Sequence, residues 1–300
     1  MTDEPDKTSE SDEPDTEPAQ EPTSLQITRV LVAVDTSAEC TRALEAAAQL
    51  ASHLHVGIQG IFVEDPNLLK LEGLSSSRRI SLPQGFGSSE IRRGSIQREL
   101  QAHATRVHQI LQMLSQRMQV EYEFQVKRGK MREMLNEAAG TTDLAVVESQ
   151  GRSVRSHMRL EASARGAADA LQPSVLYLQK GVRPIQSVIA VFDGTEQSMK
   201  VLEAGAGLMS GPNAMMTVLL QTESRDEADQ MQEKARQKLA PAGVDTHFRR
   251  VSPRETRWLG RMVDGMHGDI VITASGSRLL EHNTVQDVLE EVDCPVLVIR

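Results

Sequence analysis

The chain has 300 residues, 39% of them hydrophobic, which is enough for two ordinary domains that each bury a core. Its formal charge of -9 is concentrated at the N-terminus. Residues 1–26 hold nine of the 42 acidic and one of the 33 basic residues, so 33 acidic and 32 basic residues remain for the rest. This nearly neutral body lacks the basic field that attracts nucleic acids and anionic membranes, so we expect neither as a partner.

The N-terminal segment, residues 1–26, differs in composition from the rest of the chain. It contains four prolines, no aromatic residue and almost one sign of charge. Such a segment buries too little apolar surface to offset the entropy of ordering, which predicts a disordered acidic tail. The tail is interpreted as a solubilising segment, with a docking or regulatory role as the alternative.

The apolar runs and the two cysteines indicate the compartment in which the protein resides. The N-terminus has no apolar signal region, and the longest apolar runs fall far short of the ~20 residues of a membrane span. Cys40 and Cys294 are far apart and form no CxxC pair, which fits a reducing compartment. We therefore expect a cytoplasmic protein.

From Ile27 onward, short β-branched runs alternate with longer helical stretches. In the first half the pattern predicts strands over 28–35, 56–63, 122–127, 144–148 and 174–179. It predicts helices over 38–53, 96–118, 131–139 and 160–171. Between them, the segment 64–95 has no convincing periodicity and contains two Arg-Arg pairs. It is predicted to be a long mobile basic loop, with a lid or an anion-sensing arm as the alternative.

The same order of elements restarts at Ser187. Strands are predicted over 187–193, 215–220, 244–250, 270–273 and 295–299, and helices over 197–209, 225–239, 254–266 and 284–292. Alternating strands and helices of this length indicate parallel sheets covered by helices on both faces. The fold class is therefore α/β, with two tandem doubly wound open parallel five-stranded sheets. The domains are residues 27–180 and 185–300, joined near 180–184.

Several short motifs recur in both halves. A first strand ends at Asp35 or Asp193 and is followed by a Ser/Thr turn, later strands open at Asp143 and Asp269, and the final strand follows Cys294-Pro. In this order the chain resembles a tandem member of the universal stress protein family, whose fold is like that of the adenine nucleotide alpha hydrolases. The resemblance covers nearly everything after Ile27.

The resemblance implies a place for a nucleotide. One subclass of the family binds ATP at the carboxyl ends of the strands, with the first-strand acid near the ribose. A pattern G-x2-G-x9-G-[ST] after the fourth strand receives the phosphates, because glycines let backbone N–H groups approach phosphate oxygens. Mapped onto this chain, the candidate nucleotide-binding residues are Asp35, Gly151, Ser163, Asp193, Gly276 and Ser277.

In the first half only one glycine of the phosphate pattern is kept. Gly151 matches, whereas Glu148 and Glu161 stand where the other two glycines belong. At ~5 Å and an effective dielectric constant near 20, each carboxylate would oppose a phosphate charge by about 3 kcal/mol, roughly two orders of magnitude in affinity. The first site is therefore predicted to have lost ATP. Alternatively, the arginines of this loop pair with the glutamates and make it a structural element.

In the second half the pattern is shortened. The loop reads Ala274-Ser-Gly-Ser277, and six residues separate Gly276 from Asn283. Gly276 and Ser277 could still cradle an anion, whereas Asn283 or Thr284 could cap the last helix without any ligand. The same choice is open for Asp35 and Asp193, which either contact a ribose or start the loop and cap the following helix.

These patterns favour a non-enzymatic stress-response or regulatory scaffold without a cofactor. An unknown protein partner is expected, and a homodimer is possible. The resemblance also implies that the two last strands, 174–179 and 295–299, pair as an internal pseudo-dimer. The alternative is an ATP- or AMP-binding sensor that uses the second half or the Arg-rich loop. A third class, an adenylating enzyme, lacks its glycine-serine signature here. The sequence also has no P-loop, nucleophile elbow or metal-ligand spacing.

Overall fold

A computed structural model of the chain describes residues 27–34, 40–64, 78–80, 88–90, 95–140, 143–148, 173–179, 185–209, 211–252 and 257–300. The predicted acidic tail, the linker 180–184 and the predicted helix over 160–171 lie outside the described residues.

Twelve strands and eight α-helices are found in these residues. The strands are β1 Arg29–Val34, β2 Gly57–Glu64, β3 Arg78–Ile80, β4 Ser88–Glu90, β5 Tyr122–Arg128, β6 Asp143–Glu148, β7 Ser174–Leu178, β8 Ser187–Phe192, β9 Met215–Gln221, β10 Asp245–Val251, β11 Ile270–Ala274 and β12 Val296–Ile299. The helices are α1 Cys40–Leu54, α2 Ser95–Met118, α3 Met131–Ala138, α4 Glu196–Leu208, α5 Arg225–Leu239, α6 Arg257–Met266, α7 Arg278–His282 and α8 Val285–Glu291.

Ten of the strands form one continuous sheet in the order β10-β9-β8-β11-β12-β7-β6-β1-β2-β5. Within each half all neighbouring strands run parallel, and the two halves have the same strand order read from opposite ends. This confirms the predicted α/β class with parallel sheets. The two five-stranded sheets join into one continuous sheet through β7 and β12, the last strand of each half.

The junction between the halves is the pair β7 and β12, the one antiparallel pair of the large sheet. Leu176 lies opposite Leu297, and Val175 lies opposite Val298. Both strands are buried along their whole length, so the edge that each half would otherwise expose is covered within the chain.

Apolar side chains cover both faces of the sheet because successive strand residues point to opposite sides. Along β1, Val30 and Val32 join the cluster beneath α1, α2, α4 and α5, whereas Leu31 joins the cluster beneath α3, α6 and α8. The periodic apolar residues predicted for α2 and α5 are mostly buried, including Leu111 and Met231. The sheet is thus a buried central layer, as continuous apolar strand runs require.

Two features differ from the sequence-based expectation. The segment 64–95 contains a two-stranded antiparallel hairpin, in which Arg79 pairs with Ser89. The helix α7, immediately after β11, was not predicted. A helix of five residues is too short to show a 3.6-residue apolar period, and strands of three residues are too short to show alternation.

None of the helices that the structure describes is both long and apolar enough to span a membrane.

Candidate functional site

The second-half candidates meet where β8 and β11 end, at the carboxyl ends of parallel strands. Asp193 follows β8 and is buried. Gly194 then turns the chain with a φ of +84°, a left-handed conformation that favours glycine. Thr195 begins α4, and its hydroxyl accepts a hydrogen bond from the Ser198 N–H at 3.2 Å. The N-cap of α4 is therefore Thr195, and Asp193 is not itself the cap.

Both carboxylate oxygens of Asp193 are engaged by the chain. Oδ1 accepts from the Thr195 N–H at 3.1 Å and from its hydroxyl at 2.7 Å. Oδ2 accepts from the Arg278 N–H at 3.2 Å. This one side chain thus ties the turn after β8 to the loop after β11, as a buried charged group needs hydrogen bonds to replace water.

The loop from Ser275 to Glu281 directs nearly all of its backbone N–H groups into the protein. Ser275 donates to the Ile299 carbonyl, Ser277 to the Ala274 carbonyl, and Leu280 and Glu281 both to the Ser277 carbonyl, at 2.8 to 3.1 Å. Leu279 donates to Oε1 of Gln221 at 3.2 Å. The Arg278 N–H donates to Asp193, so every backbone N–H in the first turn of α7 has an acceptor. Within residues 275–281, the Gly276 N–H alone has no acceptor among the described residues.

The candidates Gly276 and Ser277 are held by neighbouring side chains. A Cβ on Gly276 would lie 2.9 Å from Oε1 of Gln197, whose Nε2 donates to the Ser275 hydroxyl at 3.0 Å. The hydroxyl of Ser277 is fully buried and lies 2.9 Å from that of Thr273. The Ser277 hydroxyl is thus engaged within the protein, and Gly276 is closely packed against Gln197.

Arg278 joins the loop to the neighbouring strand and helix. Its Nη1 donates to the Gln221 carbonyl at 3.1 Å, and its Nη2 donates to Oε1 of Glu227 at 2.8 Å. Oε2 of Glu227 accepts from the Thr222 hydroxyl. The hydrogen bond from Arg278, followed by that from Thr222, lowers the pKa of Glu227. The hydrogen bond with Glu227 in turn raises the pKa of Arg278.

We expect this pair to make stability depend on pH. A carboxylate whose folded-state pKa is lowered stabilises the protein above its ordinary pKa, and that contribution disappears as the pH falls through the lowered value. Because both side chains are over one-third exposed, Glu227→Gln should cost no more than about 1 kcal/mol at pH 7. Unfolding in urea should show a smaller difference at pH 3 than at pH 7.

The matched control for that measurement is Glu233→Gln, an exposed glutamate on the same helix that accepts from Gln237. Glu233 has no arginine contact in the described part of the chain, and its substitution should leave the pH dependence unchanged. An equal pH dependence in the two variants would contradict the role given to Arg278.

The last helix of the chain begins without any ligand. Thr284 caps α8, with its hydroxyl accepting from the Asp287 N–H and the Asp287 carboxylate accepting from the Thr284 N–H, a complete capping box. Asn283 donates from its side chain to the Leu279 carbonyl at 2.9 Å instead. Of the two caps considered, the structure thus selects Thr284.

The first-half candidates cannot be compared in the same way. Asp35, Gly151 and Ser163 lie outside the described residues, as do Glu161 and the arginines of that loop. Of Glu148, only the backbone is described, as the last residue of β6.

Three residues of the site were missed by sequence reasoning: Arg278, Gln221 and Glu227. Gln221 gave the clearest signal, because it is a polar residue directly after the apolar run of β9, where parallel strands present functional side chains. Arg278 gave none, since its partners lie 57 and 51 positions away in the sequence.

Metal ligands and thiols are the other groups that could give a site its chemistry. No cluster of three or more potential metal-ligating side chains occurs there. The two cysteines form no disulfide, and burial raises the pKa of Cys294 to about 12. That thiol therefore stays protonated at neutral pH and is a poor nucleophile.

The comparisons with known proteins identify the fold. No protein-family model matches the chain, and no curated protein does so either. Among solved structures, a universal stress protein from Archaeoglobus fulgidus DSM 4304 is 14% identical with a TM-score of 0.66, covering 92% of this chain and 97% of that one. A functionally unknown protein from Pseudomonas aeruginosa PAO1 is 13% identical with a TM-score of 0.50, covering 92% and 93%.

The chain is thus an α/β protein with two similar parallel half-sheets and its polar candidate residues at the carboxyl ends of the strands. More particularly, it has the universal stress protein fold over nearly its whole described length, which confirms the fold expected from the sequence. At this level of identity the likeness concerns the fold.

Proposed function

We propose that this protein is a non-enzymatic universal stress protein, a stress-response or regulatory scaffold that does not bind nucleotides in the pose known for the family. The fold supports membership of the family, and the residues of the second half support the loss of the ligand. The domain division at 27–180 and 185–300 belongs to the same proposal, as does a cytoplasmic location.

One observation carries the proposal: the N–H groups at the start of α7 already have acceptors in the protein. Asp193 takes the Arg278 N–H, Gln221 takes that of Leu279, and the Ser277 carbonyl takes those of Leu280 and Glu281. A triphosphate needs several converging donors. Here it would have to displace an internal acceptor for nearly every hydrogen bond that it made.

Charge at the same place also opposes a nucleotide. The buried carboxylate of Asp193 accepts a hydrogen bond from the backbone N–H of Arg278. The carboxylate of Glu227 accepts one from the guanidinium of the same residue. The arginine is thus already paired with acids of the chain, and a phosphate would compete with them. For the first half, the glutamates at 148 and 161 support the same conclusion by repulsion.

The test is direct. Nucleotides released from the purified full-length chain by denaturation should be absent on chromatography, and calorimetric titration with ATP and with AMP, each with Mg²⁺, should give no binding heat. Micromolar binding of either would overturn the proposal. Exchanging both glutamates, Glu148→Gly with Glu161→Gly, should create ATP binding if repulsion alone closed the first site. No gain would mean that the geometry of that loop is lost as well.

A second candidate function, an ATP- or AMP-binding sensor, is favoured by a single observation. Nε2 of Gln221 is buried and has no hydrogen-bond partner among the described residues, beside the start of α7. An unpaired buried donor costs about 1–3 kcal/mol, and a ligand oxygen would relieve it. The variant Gln221→Leu separates the candidates, because it should abolish any nucleotide binding found by calorimetry.

A further inference from the structure

The outer edge of β5 is the basis of a second proposal, independent of the nucleotide question. The ten-stranded sheet ends in β10 on one side and β5 on the other, and no other strand in the described ranges pairs with either outer edge. A free strand edge is a template for another strand unless charges or bulges block it.

The hydrogen bonds to β2 show which groups of β5 face outward. Ile58 donates to the Glu121 carbonyl at 2.9 Å, and Gly129 donates to the Glu64 carbonyl at 3.1 Å. In a parallel ladder alternate residues bond the same neighbour, so the odd-numbered residues of β5 face β2. The residues that turn their N–H and C=O groups outward are Tyr122, Phe124, Val126 and Arg128.

We propose that β5 pairs antiparallel with β5 of a second copy of the chain, about a two-fold axis at Gln125. Phe124 then lies opposite Val126 of the second copy, and Tyr122 lies opposite Arg128 of the second copy. Every outward N–H and C=O of the strand finds a partner in this register. A shift of two residues in either direction leaves an outward residue unpaired, so the register is defined by the ladder itself.

The charges of β5 complement each other in that register. Glu123 lies opposite Lys127 of the second copy, and the symmetry repeats the pair. Glu123 is exposed and has no partner among the described residues, whereas Nζ of Lys127 lies 3.3 Å from Oε1 of Glu137. The lysine would then bridge two carboxylates. Directly opposite charges across antiparallel strands stabilise the pairing, and a dimer uses the pair twice.

The apolar side chains of β5 fit the same partner. Val126 is 50% exposed, one of two large hydrophobic side chains that the described chain exposes to this extent. Its partner in the dimer, Phe124, is stacked on His108 with ring centroids 4.8 Å apart, so the ring is already positioned. Pairing Val126 with Phe124 of the second copy would cover this apolar surface from water.

The opposite edge, β10, differs from β5 in its exposed apolar surface. On β10, Arg250 donates to the Glu223 carbonyl at 2.9 Å, and Arg249 contacts the sulfur of Met262 at 3.9 Å. The guanidinium of Arg236 covers Phe248 at 5.5 Å. Among the described residues, β10 exposes no large hydrophobic side chain comparable to Val126 of β5, so pairing at this edge would cover less apolar surface. The proposal therefore concerns β5 and not β10.

Sedimentation velocity of the full-length chain tests the proposal. One strand pair is a small interface, so dissociation in the micromolar range or weaker is expected, with the mass rising toward twice 33.0 kDa as concentration increases. Glu123→Lys should weaken the dimer at least about tenfold, because it places like charges opposite each other. The exchange Glu123→Lys with Lys127→Glu should restore it. Asp245→Lys, the same charge change on β10, should have no effect.

A backbone variant provides an independent check. Val126→Pro removes an outward N–H but leaves the bonds to β2, so it should abolish the dimer while far-ultraviolet circular dichroism stays unchanged. A chain that stays monomeric at all concentrations would overturn the proposal. So would a dimer that Glu123→Lys and Val126→Pro leave intact, since it would use another surface.

Discussion

Replacing Asp193 by alanine is expected to lower the free energy of unfolding of the second half by about 3 kcal/mol. The side chain is 3% exposed, and its two oxygens accept from the Thr195 N–H and hydroxyl and from the Arg278 N–H. Its removal leaves these donors without acceptors and releases the loop after β11. Urea unfolding of the full chain, followed by circular dichroism, measures the loss.

A matched control separates this structural role from the role of a ligand contact. Asp264→Ala changes an exposed aspartate of α6 and should stay within about 0.5 kcal/mol of the unchanged protein. If Asp193 were retained for a nucleotide instead, Asp193→Ala would leave stability nearly unchanged and would reduce nucleotide binding. That pair of results would contradict the internal role.

Replacing Gly260 by alanine is expected to cost about 2–3 kcal/mol, because the methyl group has no space. Gly260 lies on α6 where this helix packs on α8. A Cβ there would lie 2.2 Å from the Glu291 carbonyl oxygen, which belongs to backbone and not to a flexible side chain. The two helices would have to separate, and the apolar contacts between Leu259 and the residues around it would loosen. Equilibrium unfolding in urea provides the measurement.

The control lies on the same helix. A Cβ on Gly265 would meet no atom within 4 Å, so Gly265→Ala should be neutral or stabilising by up to about 1 kcal/mol through helix propensity. The same chemical change should therefore have opposite signs five residues apart. Equal effects of the two substitutions would show that the close contact between α6 and α8 does not require glycine at position 260.

Sequence reasoning predicts the sheet and most helices of this protein because their signals are local. Buried parallel strands are continuous apolar runs, such as Val30 to Val34, and they need no knowledge of their neighbours. The helix over 225–239 is predicted with its observed bounds because Met231 and Leu239 lie on one apolar side, and the structure shows that Ser224 caps it.

The site is less accessible to sequence reasoning because it depends on distant contacts. The sequence identifies Asp193 and Ser277 as candidates but leaves open whether each meets a ligand or the chain. In the structure, the backbone N–H of Arg278 donates to Asp193 and its side chain donates to Glu227. These contacts exist only once β8, β9 and β11 lie side by side, and no spacing rule encodes them.

The antiparallel junction of β7 and β12 has a consequence for how the molecule can be approached. Strands within a half run parallel but the halves run in opposite directions, so their carboxyl ends open on opposite rims of the sheet. Asp193 and Arg278 lie on one rim, and the end of β1 lies on the other. A molecule that binds at the end of β8 and one that binds at the end of β1 would therefore approach the sheet from opposite sides.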